Sequence, residues 1–354
     1  MTDEVGEREP GQRVSLELEP LHAEPAPAAT VAPPTRPSVL ARIGWAVAWT
    51  LGVSLAALAV LRLVWADGYW LLMVANMFTP YIYLPAYVLL GVSAFGRRWG
   101  LNLLMVAVIA FHLMQVGPSM LPRSPGPHQE PELKLVTANL YIGNPRRDAL
   151  IDEINEHFPD VLFLQEVNPE WHAALDAEGV LEAYPHGEVV VRSDPFGIAL
   201  LSKRPLSDLE VLDLAGYPAV TARVQVGDAS YRLLAVHPPP PLESELATRH
   251  QESVAAILDW VRNASGSYVI AGDFNSTPYS DFSDRMAPYG HDGWDLAGRG
   301  FGFTAPNGTS MIPPVRVDRV FVSRDLTVPE MILGDGPGSD HRLLMARVAL
   351  RAGD

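Results

Sequence analysis

The chain has 354 residues, enough for two domains of ordinary size, and carries 41 acidic against 26 basic side chains for a net charge of −15. All of this excess lies after residue 129, where 18 basic side chains face 33 acidic ones. Such a surface repels phosphate backbones and disfavours a protein that coats nucleic acid. The absence of cysteine excludes disulfide scaffolds, thiolate metal sites and thiol nucleophiles, and suits an oxidising compartment.

Residues 1–37 are rich in proline, alanine and glutamate and have no apolar periodicity. They cannot bury enough surface to offset the entropy of ordering, so we predict a disordered tail. The basic start of a signal peptide is missing, and we therefore expect the tail not to be cleaved.

Three long uncharged stretches follow between residues 38 and 121. They are Ile43–Leu61 with 19 residues, Gly68–Gly96 with 29 and Trp99–Leu121 with 23. About 20 apolar residues cross the hydrocarbon core, and tryptophan and tyrosine flank the stretches as they do at membrane interfaces. The sequence therefore predicts three transmembrane helices, the second kinked by Pro80 and Pro85, rather than the buried core helices of a large globular protein.

Arginines indicate the orientation of these helices. Arg36 and Arg42 precede the first stretch, and Arg97 and Arg98 separate the second from the third. The positive-inside rule puts these arginines and the N-terminus in the cytoplasm, and three spans leave the rest of the chain outside. We therefore predict a multi-pass protein of the plasma membrane with an extracytoplasmic C-terminal domain.

Residues 122–132 are rich in proline and predict a stiff linker, which holds the domain within tens of Å of the membrane at ~3.1 Å per residue. From residue 133 to 354, apolar strands alternate with a few amphipathic helices, which favours a mixed α/β or α+β sandwich. The predicted helices are Ala149–His157 and Glu245–Val261. The predicted strands are Leu133–Thr137, Asp160–Leu164, Gly197–Ser202, Val220–Val226, Tyr231–His237, Ser267–Ala271, Val315–Ser323 and Leu343–Leu350.

Polar side chains fall within these strands, at their ends or just before them. They are Asn139, Glu166, His237, Asp273, Asn275, Asp318, Asp340 and His341. One such residue alone is typical of a turn or a helix cap, but strand ends meet at a sheet edge and the set predicts one shared site. Oxygen ligands without thiols suit Mg²⁺, or Mn²⁺, and a divalent ion with carboxylates and histidines suits phosphoester hydrolysis. The chain has neither a Gly-rich phosphate loop followed by lysine nor a Gly-x-Ser-x-Gly elbow.

Seven short motifs, in this order, resemble the endonuclease/exonuclease/phosphatase superfamily over nearly the whole of Leu133–Leu350. They are Thr137–Asn139, Leu164–Glu166, Gly197–Ser202, Val236–His237, Gly272–Asn275, Val317–Val320 and Gly338–His341. The resemblance implies a four-layer αββα sandwich with a divalent-metal site at the edge of two central sheets.

The resemblance also implies a role for each polar residue. It implies Glu166 as the main metal ligand, with Asn139 close by and Asp340 as a further ligand or its neighbour. It implies that Asp273 orients or deprotonates the attacking water and that Asn275 holds the phosphate. His341, oriented by Asp318, and His237 would each contact a phosphoryl oxygen. Tyr141 stands where nuclease members often carry an acidic residue, so a second metal position is left open.

Three spans followed by such a domain resemble the membrane-bound group that includes teicoplanin-resistance-type proteins, which implies action on lipid-linked phosphates of bacterial envelopes. We therefore predict a membrane-anchored metal-dependent phosphoester hydrolase whose partners are the bilayer and a lipid phosphate or pyrophosphate; no protein partner is indicated.

The alternatives are an extracytoplasmic nuclease and an inactive receptor or scaffold. A nuclease needs basic residues around its site, and the nearby candidates are Arg146, Arg147, Arg316 and Arg319.

Overall fold

The computed structural model describes residue 2, residues 38–121 and residues 123–352. The predicted disordered tail, apart from residue 2, lies outside these described residues. The chain divides into two units, of which the second covers residues 46–354. The second unit contains most of the apolar helices and the whole C-terminal domain.

Within residues 38–121, five helices precede the domain. They are α1 (Val39–Trp65), α2 (Trp70–Met77), α3 (Thr79–Ile82), α4 (Leu84–Phe95) and α5 (Trp99–Met120). Among the described residues, α1 and α5 are long and apolar enough to cross a membrane. A third candidate span joins α2 to Thr79–Phe95 and is bent by 77°. The bend falls at Phe78, two residues before Pro80, because Pro80 has no N–H to continue the hydrogen bonds of α2 and fits instead in the first turn of α3.

The described residues of the domain form twelve strands and six helices. The helices are α6 (Arg147–Glu156), α7 (Pro169–Ala177), α8 (Val180–Ala183), α9 (Ser244–Arg262), α10 (Asp281–Met286) and α11 (Gly293–Ala297). The strands are β1 (Leu133–Asn139), β2 (Val161–Gln165), β3 (His186–Val190), β4 (Ile198–Ser202), β5 (Leu206–Asp213), β6 (Pro218–Val226), β7 (Ala229–Val236), β8 (Tyr268–Asp273), β9 (Gly290–Asp292), β10 (Asp318–Ser323), β11 (Leu326–Leu333) and β12 (Leu344–Leu350).

The strands form two six-stranded sheets, ordered β11-β12-β1-β2-β4-β3 and β5-β6-β7-β8-β10-β9. Apolar side chains of both sheets, such as Phe163 and Val269, form one shared core. Helices α6 and α7 cover the outer face of the first sheet through Ile154 and Trp171, and α9 and α10 cover the second through Ile257 and Phe282. The predicted four-layer αββα sandwich is confirmed.

The predicted strands and helices all occur, with ends shifted by a few residues. The largest shift is in the strand predicted from Val315, which begins at Asp318 because Val315 pairs instead with Ala305 in an isolated bridge. The prediction missed β3, β5, β9 and β11. Strand β5 lies at a sheet edge and is largely exposed, so it lacks the apolar run that identifies a buried strand.

The loop between α1 and α2 lies against the domain. Gln251 of α9 donates a hydrogen bond to the Asp67 carbonyl at 2.6 Å, and an Asp67 carboxylate oxygen accepts from the Asp281 backbone N–H at 2.8 Å. The Tyr81 hydroxyl of α3 donates to the Pro314 carbonyl at 2.7 Å. The loop and α3 therefore both contact the domain.

Candidate active site

The predicted polar residues meet where strands of both sheets end. Asn139 is the last residue of β1, and its amide donates to Glu166 Oε1 at 3.0 Å and to Asp273 Oδ2 at 3.1 Å. Glu166 directly follows β2 in the same sheet, whereas Asp273 ends β8 of the other sheet. The Asn139 amide therefore joins the two sheets at one site.

Glu166 has a backbone conformation that is uncommon for a residue with a side chain. Its φ is +63°, and its carboxylate accepts hydrogen bonds from the Ile142 N–H at 2.7 Å and from Asn139. Such backbone strain persists only where the surroundings hold it, and it occurs most often at functional sites. The half-buried carboxylate is thereby fixed beside Asp273.

Two histidines flank the Asp273 carboxylate. His237 Nε2 lies 3.5 Å from Asp273 Oδ2, and His341 Nε2 lies 3.8 Å from the same oxygen. His341 Nδ1 contacts Asp318 Oδ2 at 2.8 Å, which orients the ring. Asp318 faces Asp273 in the register of β8 and β10, so the antiparallel ladder places both carboxylates beside one imidazole.

This cluster drives the pKa values of its members apart. Burial opposes ionisation of Asp273, but His341 and His237 outweigh it and hold the pKa of the Asp273 carboxyl below its ordinary value. Burial, together with the Asp273 charge, raises the pKa of Asp318 against the attraction of His341. Burial also opposes the charged form of His341, but Asp318 and Asp273 outweigh it and raise the pKa of His341 to about 10. Asp273 is therefore ionised and His341 protonated at neutral pH.

Asn275 and Asp340 lie at the margin of this cluster. The Asn275 N–H donates to Asp273 Oδ1 at 2.8 Å, and its side-chain amide donates to the Pro238 carbonyl at 3.0 Å. Asp340 is exposed and lines a cavity of about 960 Å³ together with Tyr141 and Arg146. The structure thus puts Asp340 beside the site but outside the group formed by Asp273, Asp318 and His341.

The donor set fits a divalent cation. Atoms of Asp273, Asp318 and His341 lie within 4.8 Å of one another, and the buried Asp318 Oδ1 has no hydrogen-bond partner among the described residues. Glu166 adds a fixed carboxylate that reaches this group through Asn139. Carboxylate oxygens without thiols are ligands that suit Mg²⁺ or Mn²⁺, whereas the protonated His341 has no free lone pair for a metal and serves as a donor beside the ion.

The prediction missed three residues that hold the site together. Ser339 donates to the Asn139 carbonyl at 2.8 Å and accepts from the His341 N–H at 3.0 Å. Thr304 Oγ1 accepts from the Asp318 N–H at 3.2 Å. The Asn307 amide donates to carbonyls on both sides of Asp340, at Ser339 and His341 among others. Ser339 stands inside a family motif, but nothing in the sequence distinguishes Thr304 and Asn307 from ordinary loop residues.

The family profile of the endonuclease/exonuclease/phosphatase family matches residues 136–341, more than half of the chain. The chain belongs to this family. Its members are phosphoesterase hydrolases that depend on a divalent metal, and the acidic group described above is compatible with such an ion. The profile does not distinguish the membrane-bound teicoplanin-resistance-type group, so that narrower grouping stays a prediction.

Solved structures show the same fold. A Bacteroides vulgatus endonuclease/exonuclease/phosphatase is 21% identical with a TM-score of 0.53, covering 63% of this chain and all (100%) of that one. The Beutenbergia cavernae protein of this description is 20% identical with a TM-score of 0.50, covering 63% and 72%. TDP2 from C. elegans is 20% identical with a TM-score of 0.52, covering 62% and 75%. No curated protein matches the chain in sequence.

Proposed function

We propose that the protein is a membrane-anchored, divalent-metal-dependent phosphoester hydrolase whose site faces outward and acts on a lipid-linked phosphate or pyrophosphate. The observation that carries this proposal is the Asp273 carboxylate, which lies between two imidazoles and is joined to Glu166 through Asn139. This arrangement combines an ionised base, a protonated donor and an oxygen-rich cation site.

The side chains of the site have separate roles in hydrolysis. Ionised Asp273 accepts a proton from, or orients, the attacking water. His341 has its Nδ1 on Asp318, so its Nε2–H is available to a phosphoryl oxygen, and His237 on the other side of Asp273 contacts a second oxygen. Glu166, with Asn139 and Asp340 as further ligands, would hold a divalent ion, which polarises the phosphoryl group when bound.

The contacts of the domain with the apolar helices support a membrane-borne substrate. Tyr81 of α3 contacts Pro314, four residues before Asp318, so the candidate span and the site are linked through one short segment. An enzyme tethered to the surface that holds its substrate gains effective concentration without any new contact.

The arginines required by the nuclease alternative are mostly engaged elsewhere. Arg316 and Arg319 are buried and pair with Asp292 at 3.0 and 2.8 Å. Arg147 lies over the Trp171 ring. Only Arg146 of the four lines the cavity beside the site, which gives little attraction for a phosphate backbone on an acidic domain.

The proposal is tested with full-length protein in detergent with Mg²⁺, using the His341→Ala variant as the blank. Phosphate release from a polyprenyl pyrophosphate is measured beside cleavage of plasmid DNA. We expect metal-dependent phosphate release that the variant loses, with the plasmid intact. Plasmid nicking that the variant loses, without phosphate release, would instead establish the nuclease alternative.

A further inference from the structure

The segment Phe301–Val315 has no charged residue, although the chain beyond residue 129 carries the whole net charge of −15. Near its tip, Met311 and Ile312 are exposed, with relative accessibilities of 102% and 58%. Contiguous exposed apolar side chains are typical of surfaces that contact a partner protein or a membrane. We call residues 301–315 the apolar loop.

The base of the apolar loop packs against the bent helix pair formed by α2 and Thr79–Phe95, the third candidate span. The Phe303 ring lies 5.8 Å from the Tyr81 ring of α3, and the Pro314 carbonyl accepts the hydrogen bond from the Tyr81 hydroxyl. Met77 and Phe78 pack against a small buried cluster that includes Ala305 and Val315. The loop therefore starts and ends on the bent helix pair that belongs with the membrane helices.

The other side of the apolar loop is fixed to the active site. The Asn307 N–H donates to the Asp340 carbonyl at 2.6 Å, and the Thr304 carbonyl accepts from the Arg342 N–H at 2.8 Å. Thr309 and Asp340 line the same cavity of about 960 Å³. The loop thus joins the helix pair to the segment that carries Asp340 and His341.

We propose that the tip of the apolar loop, Met311 and Ile312, inserts into the surface of the bilayer that α1 and α5 cross. The occupant is lipid rather than a protein partner because the base of the loop is continuous with the candidate span through Tyr81, Met77 and Phe78. An acidic domain is repelled by anionic headgroups, but this uncharged segment can approach them. Apolar side chains at such positions enter ~5–10 Å into the interface.

Insertion of the tip explains how the proposed enzyme reaches its substrate. It places the mouth of the cavity beside Asp340 at the level of the lipid headgroups. A phosphate on a membrane lipid then reaches the site without leaving the bilayer. The inference rests on the membrane anchoring that the proposed function includes, so its test must separate the two.

Because the chain has no cysteine, one introduced cysteine carries one label. Three full-length variants are labelled with an environment-sensitive fluorophore and reconstituted into phosphatidylcholine vesicles. They are Met311→Cys at the loop tip, Val106→Cys on an exposed face of α5 and Phe158→Cys. Phe158 is the matched control because it is also an exposed apolar residue. It lies before β2, at the opposite end of that strand from Glu166 and the active site. Quenching by brominated phosphatidylcholine is compared with quenching by aqueous iodide.

We expect the labels at positions 311 and 106 to shift to the blue and to lose fluorescence in brominated lipid. The label at position 158 should respond to iodide alone. If position 106 responds to lipid while position 311 behaves like position 158, the loop does not insert and the inference is overturned, with the proposed function intact. If position 106 does not respond to lipid, the anchoring itself is wrong and both fall.

Discussion

Glu166 and Asn275, two residues of the site, have positive φ values of +63° and +46°. Each such conformation costs on the order of 1–3 kcal/mol for a residue with a side chain and needs hydrogen bonds that hold it. Glu166 is held by Ile142 and Asn139, and Asn275 is held by Asp273 and Pro238. The family motifs identify both residues from the sequence, but these dihedral angles depend on partners distant along the chain.

Replacing Glu166 by alanine removes the carboxylate that Asn139 and Ile142 fix in the site. We expect turnover to fall by more than ~100-fold, because even the loss of a residue that only supports a metal ligand costs 10–100-fold. Calorimetric titration of the variant with Mg²⁺ should show weakened binding, while circular dichroism shows the native fold, with a melting temperature lowered only by the loss of the hydrogen bonds from Ile142 and Asn139. Activity like that of the wild type would remove Glu166 from the site.

His250, which lies outside the proposed metal site, makes the free energy of unfolding depend on pH. It is buried in α9 with Nδ1 at 2.8 Å from the Pro239 carbonyl, and burial lowers the pKa of His250 to about 4. In the unfolded state the pKa of His250 is ~6.5, so between pH 6.5 and pH 4 the unfolded state binds a proton that the folded state does not bind. The free energy of unfolding therefore falls as the pH falls through this range, by up to about 3 kcal/mol.

The measurement is the melting temperature of the full-length protein in detergent from pH 7 to pH 4. The His250→Asn variant is the control, because its side-chain amide can replace Nδ1–H on Pro239 without titrating. The slope with pH should be shallower in this variant. Equal slopes in both proteins would show that His250 does not contribute.

At the scale of elements, the close approach of the parallel strands β7 and β8 depends on Gly272. Its φ is +154°, and a Cβ atom there would lie 2.0 Å from the Val236 carbonyl oxygen. Val236 and Gly272 directly precede His237 and Asp273, so the spacing of the two strands sets the distance between these site residues.

We expect Gly272→Ala to destabilise the protein by at least about 2 kcal/mol and to reduce activity, because the strands must separate. Gly266→Ala is the control, since its φ is +79° but no atom lies within 4 Å of the added Cβ. That variant should lose about 1 kcal/mol from backbone strain alone and keep its activity. Chemical denaturation and turnover of both variants check this, and equal losses would contradict the packing explanation.

The sequence predicts elements well where burial is uniform. The buried strands β2, β4 and β8 and the nearly buried β1 are predicted correctly from their apolar runs, and polar residues at or just after the ends of β1, β2 and β8 predict the candidate site. Edge strand β5 was missed because exposed side chains need no apolar pattern. Thr304 and Asn307 were missed because a loop hydrogen bond to a distant carbonyl leaves no local signal.

At the scale of the whole molecule, the predicted orientation puts the α4–α5 turn and the domain on opposite sides of the membrane. Single cysteines at Phe95 and Asp228, both exposed, test this without removing the arginines at positions 97 and 98. In intact cells, a membrane-impermeant maleimide should label Asp228→Cys and not Phe95→Cys. Labelling of Phe95→Cys alone would invert the topology, and labelling of both would show that α5 does not cross the membrane.

The central claim is that the protein hydrolyses the phosphate or pyrophosphate group of a lipid in its own membrane. It is tested most directly in vesicles with Mg²⁺, with a polyprenyl pyrophosphate either in the vesicles that hold the protein or in separate protein-free vesicles. We expect phosphate release to be ~100-fold faster when enzyme and substrate share a bilayer, because tethering raises their effective concentration. Equal rates in the two arrangements, or release that persists in the Glu166→Ala variant, would contradict the account.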